Sequence, residues 1–186
     1  MNSLQLRAAL RNIPCDTVGV YAADEIPRVW SKPTAIIANT DDHTKSGSHW
    51  VAMYVGKDNI GHYFDSYGLP PIIPQHLARL KKNCKILFYN PQQFQSNTSD
   101  VCGQFCVMFI HLMCNGFGIH RFREIFSNNL CRNDKIVREY YNAYIKRHQQ
   151  HNYAREKFTG GGVGSGNISN FNKNNVLRTQ GCYSRK

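Results

Sequence analysis

The segment NTSDVCGQFC, residues 97–106, sets two cysteines four residues apart just ahead of the apolar run CVMFIHLM. A cysteine that does chemistry needs a way to be thiolate near neutral pH, a base to hold its proton, and donors for a developing oxyanion. Cys102 stands where a helix is expected to begin, and the orphan N–H groups and positive dipole end of a helix favour a thiolate there. Gly103 follows, and without a Cβ it lets a substrate backbone approach closely. Cys106 lies one turn further into the apolar run and reads as a neutral core thiol. The candidate base is His49, at the mouth of a strand in SGSHWVAMYV, and Asp65 closes the next β-rich run, HYFDSYG. If the hairpin loop between them holds an odd number of residues, His49 and Asp65 fall on one sheet face, one diagonal step apart. The carboxylate would then fix the imidazole tautomer and stabilise its charged form. An even-numbered loop without a bulge would put them on opposite faces. For the oxyanion the Cys102 N–H is one donor. The side-chain amides of Gln92, Gln93, Gln95 and Asn97 compete to be another.

The elements that must position these groups are legible to different degrees. HWVAMYVG and GHYFDSYG flank KDNI and predict a hairpin. TAIIANT (34–40) and KILFY (85–89) read as further strands, and GVYAADEIP carries no firm assignment. Ser3 is placed to cap a helix over 4–11, and PPIIPQHLARLKKN reads as turn prolines followed by a short basic helix. A helix is predicted over 102–115, with Phe105, Phe109, Leu112 and Met113 on its apolar side and Gly116 and Gly118 ending it. Two more are predicted, over 119–130 around Phe122, Ile125 and Phe126, and over 134–150 with Asn133 as its cap. The fold class is α+β, with a core over 1–150 and a basic, Gly/Asn-rich flexible tail over 151–186.

Composition narrows the classes. The chain has 186 residues, enough for one ordinary domain, and no run of 18 apolar residues, so no membrane span is expected. The N-terminus does not read as a secretion signal. Seven irregularly spaced cysteines argue for a reducing compartment over a secreted disulfide framework. Net charge is +11; residues 132–186 hold 11 Lys/Arg against 3 Asp/Glu, a net of +8. That excess suits either a solvated face or a contact with DNA or RNA phosphates. Cys102, Cys106, His111 and Cys114 form a rival zinc set, but along one helix they do not share a face, and no metal is expected. A silent nucleic-acid-binding or packaging protein is the other rival; it leaves the His, Asp, Gln, Cys order without a reason.

Taken together, SGSHWVAMYV, YFDSYG and QSNTSDVCGQFCVMF, in that order, resemble the adenovirus protease (adenain) family and its relatives in Polinton and adintovirus-type elements. That family is similar in fold to the SUMO-specific proteases. The resemblance runs over roughly 15–150. It implies a papain-like, adenain-like fold with a central mixed sheet packed against the helix that bears the nucleophile, plus further helices. It implies a cysteine endopeptidase in which Cys102 attacks, His49 is the base or imidazolium partner, Asp65 orients His49, and Gln95, selected by its spacing to Cys102, lines the oxyanion hole. Trp50 would pack beside the site. Asp stands at 65 where adenovirus proteases often carry Glu. The resemblance further implies cleavage after Gly-containing sequences, with precursor proteins bearing Gly-Gly-type sites as substrates, acting as a monomer in the host nucleus or the virion. No cofactor is required for the chemistry, but DNA and a short basic peptide would activate. The peptide would form a disulfide with Cys84, 18 residues before Cys102. KFTGGGVGSG (157–166) reads as a plain linker or as a self-cleavage sequence. A SUMO or ubiquitin-like isopeptidase of the same fold is the alternative substrate reading.

Overall fold

The computed structural model describes residues 1–157, with side chains described through residue 147. The expected Gly-rich cleavage sequence and most of the expected tail fall on residues 158–186, outside the described residues. The chain divides into two compact units, Met1–Tyr141 and Asn142–Lys186, and the candidate site lies in the first. Among the described residues no helix is long and apolar enough to cross a membrane.

In chain order the elements are α1 (Ser3–Leu10), β1 (Thr17–Tyr21), β2 (Thr34–Asn39), β3 (Trp50–Val55), β4 (Ile60–Phe64), α2 (Pro74–Asn83), β5 (Ile86–Tyr89), α3 (Cys102–Cys114), α4 (Ile119–Arg123) and α5 (Leu130–Lys157). The five strands form one sheet in the order β1-β2-β3-β4-β5. The β1/β2 and β4/β5 pairs are parallel and the two central pairs antiparallel, so the sheet is mixed and the α+β class holds. GVYAADEIP, unassigned from sequence, contributes the end of β1, which takes its place by parallel pairing with β2.

β2 is buried along its whole length, the mark of a strand covered on both faces. On one side Ile36, Ala38, Val51, Met53, Val55 and Tyr63 pack with Leu80 of α2 and with Ile26 and Trp30. On the other, α3 lies against β3 and β2. There Phe64 stacks on Phe109 of α3 at 4.7 Å between ring centroids and meets Phe122 of α4 edge-on at 5.2 Å. Phe94 and Phe126 extend the cluster. Each buried ring contributes about 1.5–3 kcal/mol through area alone, and each favourable ring pair about 0.5–1.5 kcal/mol more. The cluster has a consequence for position: Phe64 directly precedes Asp65 and Phe94 directly precedes Gln95, so anchoring the rings anchors their neighbours.

Three helix boundaries differ from expectation. Asn2, not Ser3, caps α1: its Oδ1 accepts from the Gln5 N–H at 2.9 Å while Gln5 Oε1 accepts from the Asn2 N–H, a reciprocal capping box. α4 is five residues long, not twelve. α5 starts at Leu130 with Asn129 as its cap, whose Oδ1 takes the Arg132 N–H at 3.0 Å. Asn133 is therefore inside the helix, fully buried. Its amide donates to the carbonyls of Phe94 and Ser127. It ties the loop before α3 to α5.

Candidate active site

The β3–β4 hairpin sets the first pair. Gly56 N–H donates to Ile60 O, leaving Lys57, Asp58 and Asn59 as a loop of three. Asn59 takes the left-handed φ of 64° that closes such a loop. An odd loop is the condition for His49 and Asp65 to share a face. The register Ala52↔Phe64, carried one step further, puts Val51 opposite Asp65 and makes His49 its diagonal neighbour. His49 Nε2 lies 2.9 Å from Asp65 Oδ1, with the imidazole 15% and the carboxylate 3% exposed. The same Oδ1 accepts the Tyr67 N–H at 2.8 Å. Asn90 clamps the backbone of Asp65 from both sides, accepting from its N–H at 3.0 Å and donating to its carbonyl at 2.8 Å. The turn returns at Gly68, whose N–H donates to Asp65 O. Gly68 has φ 76°, and a Cβ there would meet the Gln92 backbone at 2.7 Å, so no other residue type fits.

Cys102 is the first residue of α3, and its thiol and the His49 imidazole lie near enough to shift each other's pKa. With Nε2 committed to Asp65, Nδ1 is the ring nitrogen left for the thiol. Burial alone would push the imidazole pKa down. Hydrogen bonds to Asp65 and Cys102, with the charges behind them, reverse this and carry it up to about 9. For Cys102 burial alone would push the thiol up. The hydrogen bond with His49, backbone hydrogen bonds at Trp50 and Gly103, and the imidazolium charge bring it below its ordinary value. Both shifts favour a thiolate–imidazolium pair. Cys106, fully buried, is pushed well up by burial, and its S–H donates to Trp50 O at 3.3 Å. The two cysteines thus divide as their surroundings dictate.

Of the four competing amides, Gln95 is the buried one, 1% exposed. Its Oε1 accepts from Ser66 Oγ at 2.7 Å, and its Nε2 donates to Ser99 O at 2.8 Å and to Tyr67 Oη at 3.2 Å. Gln93 spends its amide within the loop, on Gln95 O and Asn97 Oδ1.

Tyr67 is the residue that sequence reasoning treated only as a turn. Its ring lies 5.0 Å from that of His49, its N–H holds Asp65, and its hydroxyl meets Gln95. Burial and the Cys102 charge raise its pKa, keeping the phenol protonated. The aromatic before Gly68 was its only signal. Asn90 had none.

One placement differs from expectation. The side of Gly103 is not open: a Cβ there would come within 2.9 Å of Met1 Sδ, and Met1 O accepts the Trp50 indole N–H at 3.0 Å. Trp50 is thus a hydrogen-bonded strap as well as a packing group. Cys84 ends α2 against Gly61, with its S–H donating to Leu80 O at 3.1 Å and burial raising its pKa. It takes no part in the cluster around Cys102. The rival zinc donors turn to different partners, Cys106 to Trp50, Cys114 to Cys15 and His111 to Tyr140. Among the described residues no group of three His, Cys, Asp or Glu is arranged to hold a metal.

A buried carboxylate, an imidazole and a thiol at a helix N-terminus, backed by a buried amide, can attack and release a carbonyl group. No family model matches the chain. Over 116 residues it is 34% identical to the putative thiol protease R355 of Acanthamoeba polyphaga mimivirus, covering 53% of this chain and 37% of that one. Over 93 residues it is 31% identical to the protease of bovine adenovirus C serotype 10, covering 42% of this chain and 47% of that one. The matched segments span less than half the length of either relative. The solved central domain of the uncharacterised Lpg1148 protein from Legionella pneumophila overlays 78% of this chain and 98% of its own at 15% identity, with a TM-score of 0.44. Both viral relatives are proteases, one of them a putative thiol protease, and the chain is similar to them over these segments.

Proposed function

We propose that the chain is a cysteine endopeptidase of papain-like, adenain-like architecture that processes precursor proteins of a virus or transposon after Gly-containing sites. The observation that carries this is the buried Asp65–His49 hydrogen bond next to Cys102 at the start of α3, with shifts that favour imidazolium and thiolate together. Cys102 Sγ attacks the scissile carbonyl. The developing oxyanion is received by the Cys102 N–H and by the Gln95 amide. His49 then gives its proton to the leaving amine, and Asp65 holds the ring in position through both steps. Water attacks the thioester with His49 as base, which regenerates the thiol. No cofactor enters these steps. Chain names that include a thiol protease and an adenovirus protease support the protein-cleaving reading.

Three finer readings go with it. Cys84 is the candidate partner for an activating peptide's cysteine. The net +8 over residues 132–186 supports a contact with DNA, whose affinity would fall as salt rises. The host nucleus and the virion are the expected settings. The test is hydrolysis of a Leu-x-Gly-Gly peptide by the full chain, with and without DNA, beside Cys102→Ala. Cleavage by the wild type alone supports the proposal. Equal release by the variant, or none by the wild type under either condition, contradicts it.

A further inference from the structure

Away from Cys102, two other thiols meet. Cys15, in the loop between α1 and β1, and Cys114, the last residue of α3, come within 2.7 Å sulfur to sulfur, across 99 positions of sequence. That is within ~0.7 Å of the bonded sulfur separation of ~2.05 Å, so closing the bond asks for only a small movement. Both residues are half-buried. Cys15 also lines a cleft of about 550 Å³ together with Arg7, Arg11, Leu10, Ile13 and Tyr21. We propose that Cys15 and Cys114 are an oxidative modification site, a dithiol that a small-molecule disulfide converts to an intramolecular disulfide.

The roles of the two sulfurs differ. The contact between the two sulfurs lowers the Cys15 pKa and raises that of Cys114, with burial pushing Cys114 in the same direction. Cys15 lines the cleft and has the lowered pKa, so it is the entry point. Its sulfur attacks one sulfur of the oxidant, forms a mixed disulfide and releases one thiolate. Cys114 then loses its proton, attacks the Cys15 sulfur and releases the second thiolate. Two protein thiols become one disulfide, and one oxidant disulfide becomes two thiols, so electrons balance. The arginines at positions 7 and 11 suit an oxidant bearing carboxylates, of which glutathione disulfide is the probe. The closed loop would contain His49, Asp65, Gln95 and Cys102, fixing the C-terminal end of α3 to the loop that leads into β1. Constraining so long a loop removes unfolded-state freedom. The inference does not depend on the peptidase reading.

The experiment treats the full chain with glutathione disulfide, alkylates the remaining thiols and maps peptides without reduction. A cross-linked 15–114 peptide is expected, with the melting temperature raised by roughly 5 °C or more and returned by dithiothreitol. Cys114→Ser, which lacks the second thiol, should accumulate glutathione on Cys15. Cys15→Ser should leave Cys114 slow to react. Alkylated Cys15 and Cys114 after oxidation, or separate glutathione adducts on both, would overturn the proposal. So would equal adduct formation on the remaining thiol in the two serine variants.

Discussion

At the scale of residues, the site rests on buried polar groups held by several hydrogen bonds each. Asp65 receives the His49 ring and the Tyr67 N–H on one oxygen, while its backbone is held by Asn90. Asp65→Asn keeps an oxygen for Tyr67 but removes the charge that favours imidazolium. Peptide turnover is expected to fall on the order of 10², with the melting temperature close to wild type, measured by steady-state kinetics and calorimetry. Gln95→Ala removes a proposed oxyanion donor and should lower turnover by roughly 10²–10³ with little change in KM. It also strips Ser66 and Ser99 of a buried partner, so urea unfolding should show a loss of about 1–3 kcal/mol. A variant that lost stability alone, with turnover intact, would assign Gln95 a structural role only.

At the scale of elements, the site is assembled by a hairpin, a helix start and a loop pinned to a second helix. The hairpin and α3 were legible from sequence because alternation and helical spacing are local signals. His49, Asp65 and Cys102 were legible as a set because each stands at the end of such an element. β1 was not, since Thr17–Tyr21 has only one buried residue and becomes a strand by pairing with β2. Asn133 was misread as a cap because Asn-Asp before an apolar pair looks like a helix start; the cap lies one turn earlier, at Asn129. Among Gln92, Gln93, Gln95 and Asn97 the irregular loop carries no periodicity; the family spacing singled out Gln95, and in the structure burial behind Phe94 separates it from the others. Asn133→Ala should test this pinning. It orphans the Phe94 and Ser127 carbonyls in the core, and denaturant melts should show a loss of about 2 kcal/mol, with turnover reduced in the remaining folded protein. Unchanged turnover and stability would mean the loop is held without α5.

At the scale of the whole molecule, the ion pair makes function and stability depend on pH in the same range. His49's raised pKa contributes stability that is full below its unfolded value near 6.5 and is lost as pH rises through about 9. Cys102's lowered pKa contributes stability present above its unfolded value near 9.0, lost as pH falls through the folded one. The thiolate–imidazolium form therefore occupies the interval between the two, and kcat/KM should fall on the basic side near 9. The most direct test of the account is the pH dependence of Cys102 alkylation by iodoacetamide, followed by peptide mapping, in the wild type and in His49→Ala. The wild type should titrate below the ordinary 9.0 of a thiol, and the variant, left with burial and no imidazolium, well above its wild-type value. Coincident profiles would show that His49 does not hold the thiolate, and the account of this site would fail.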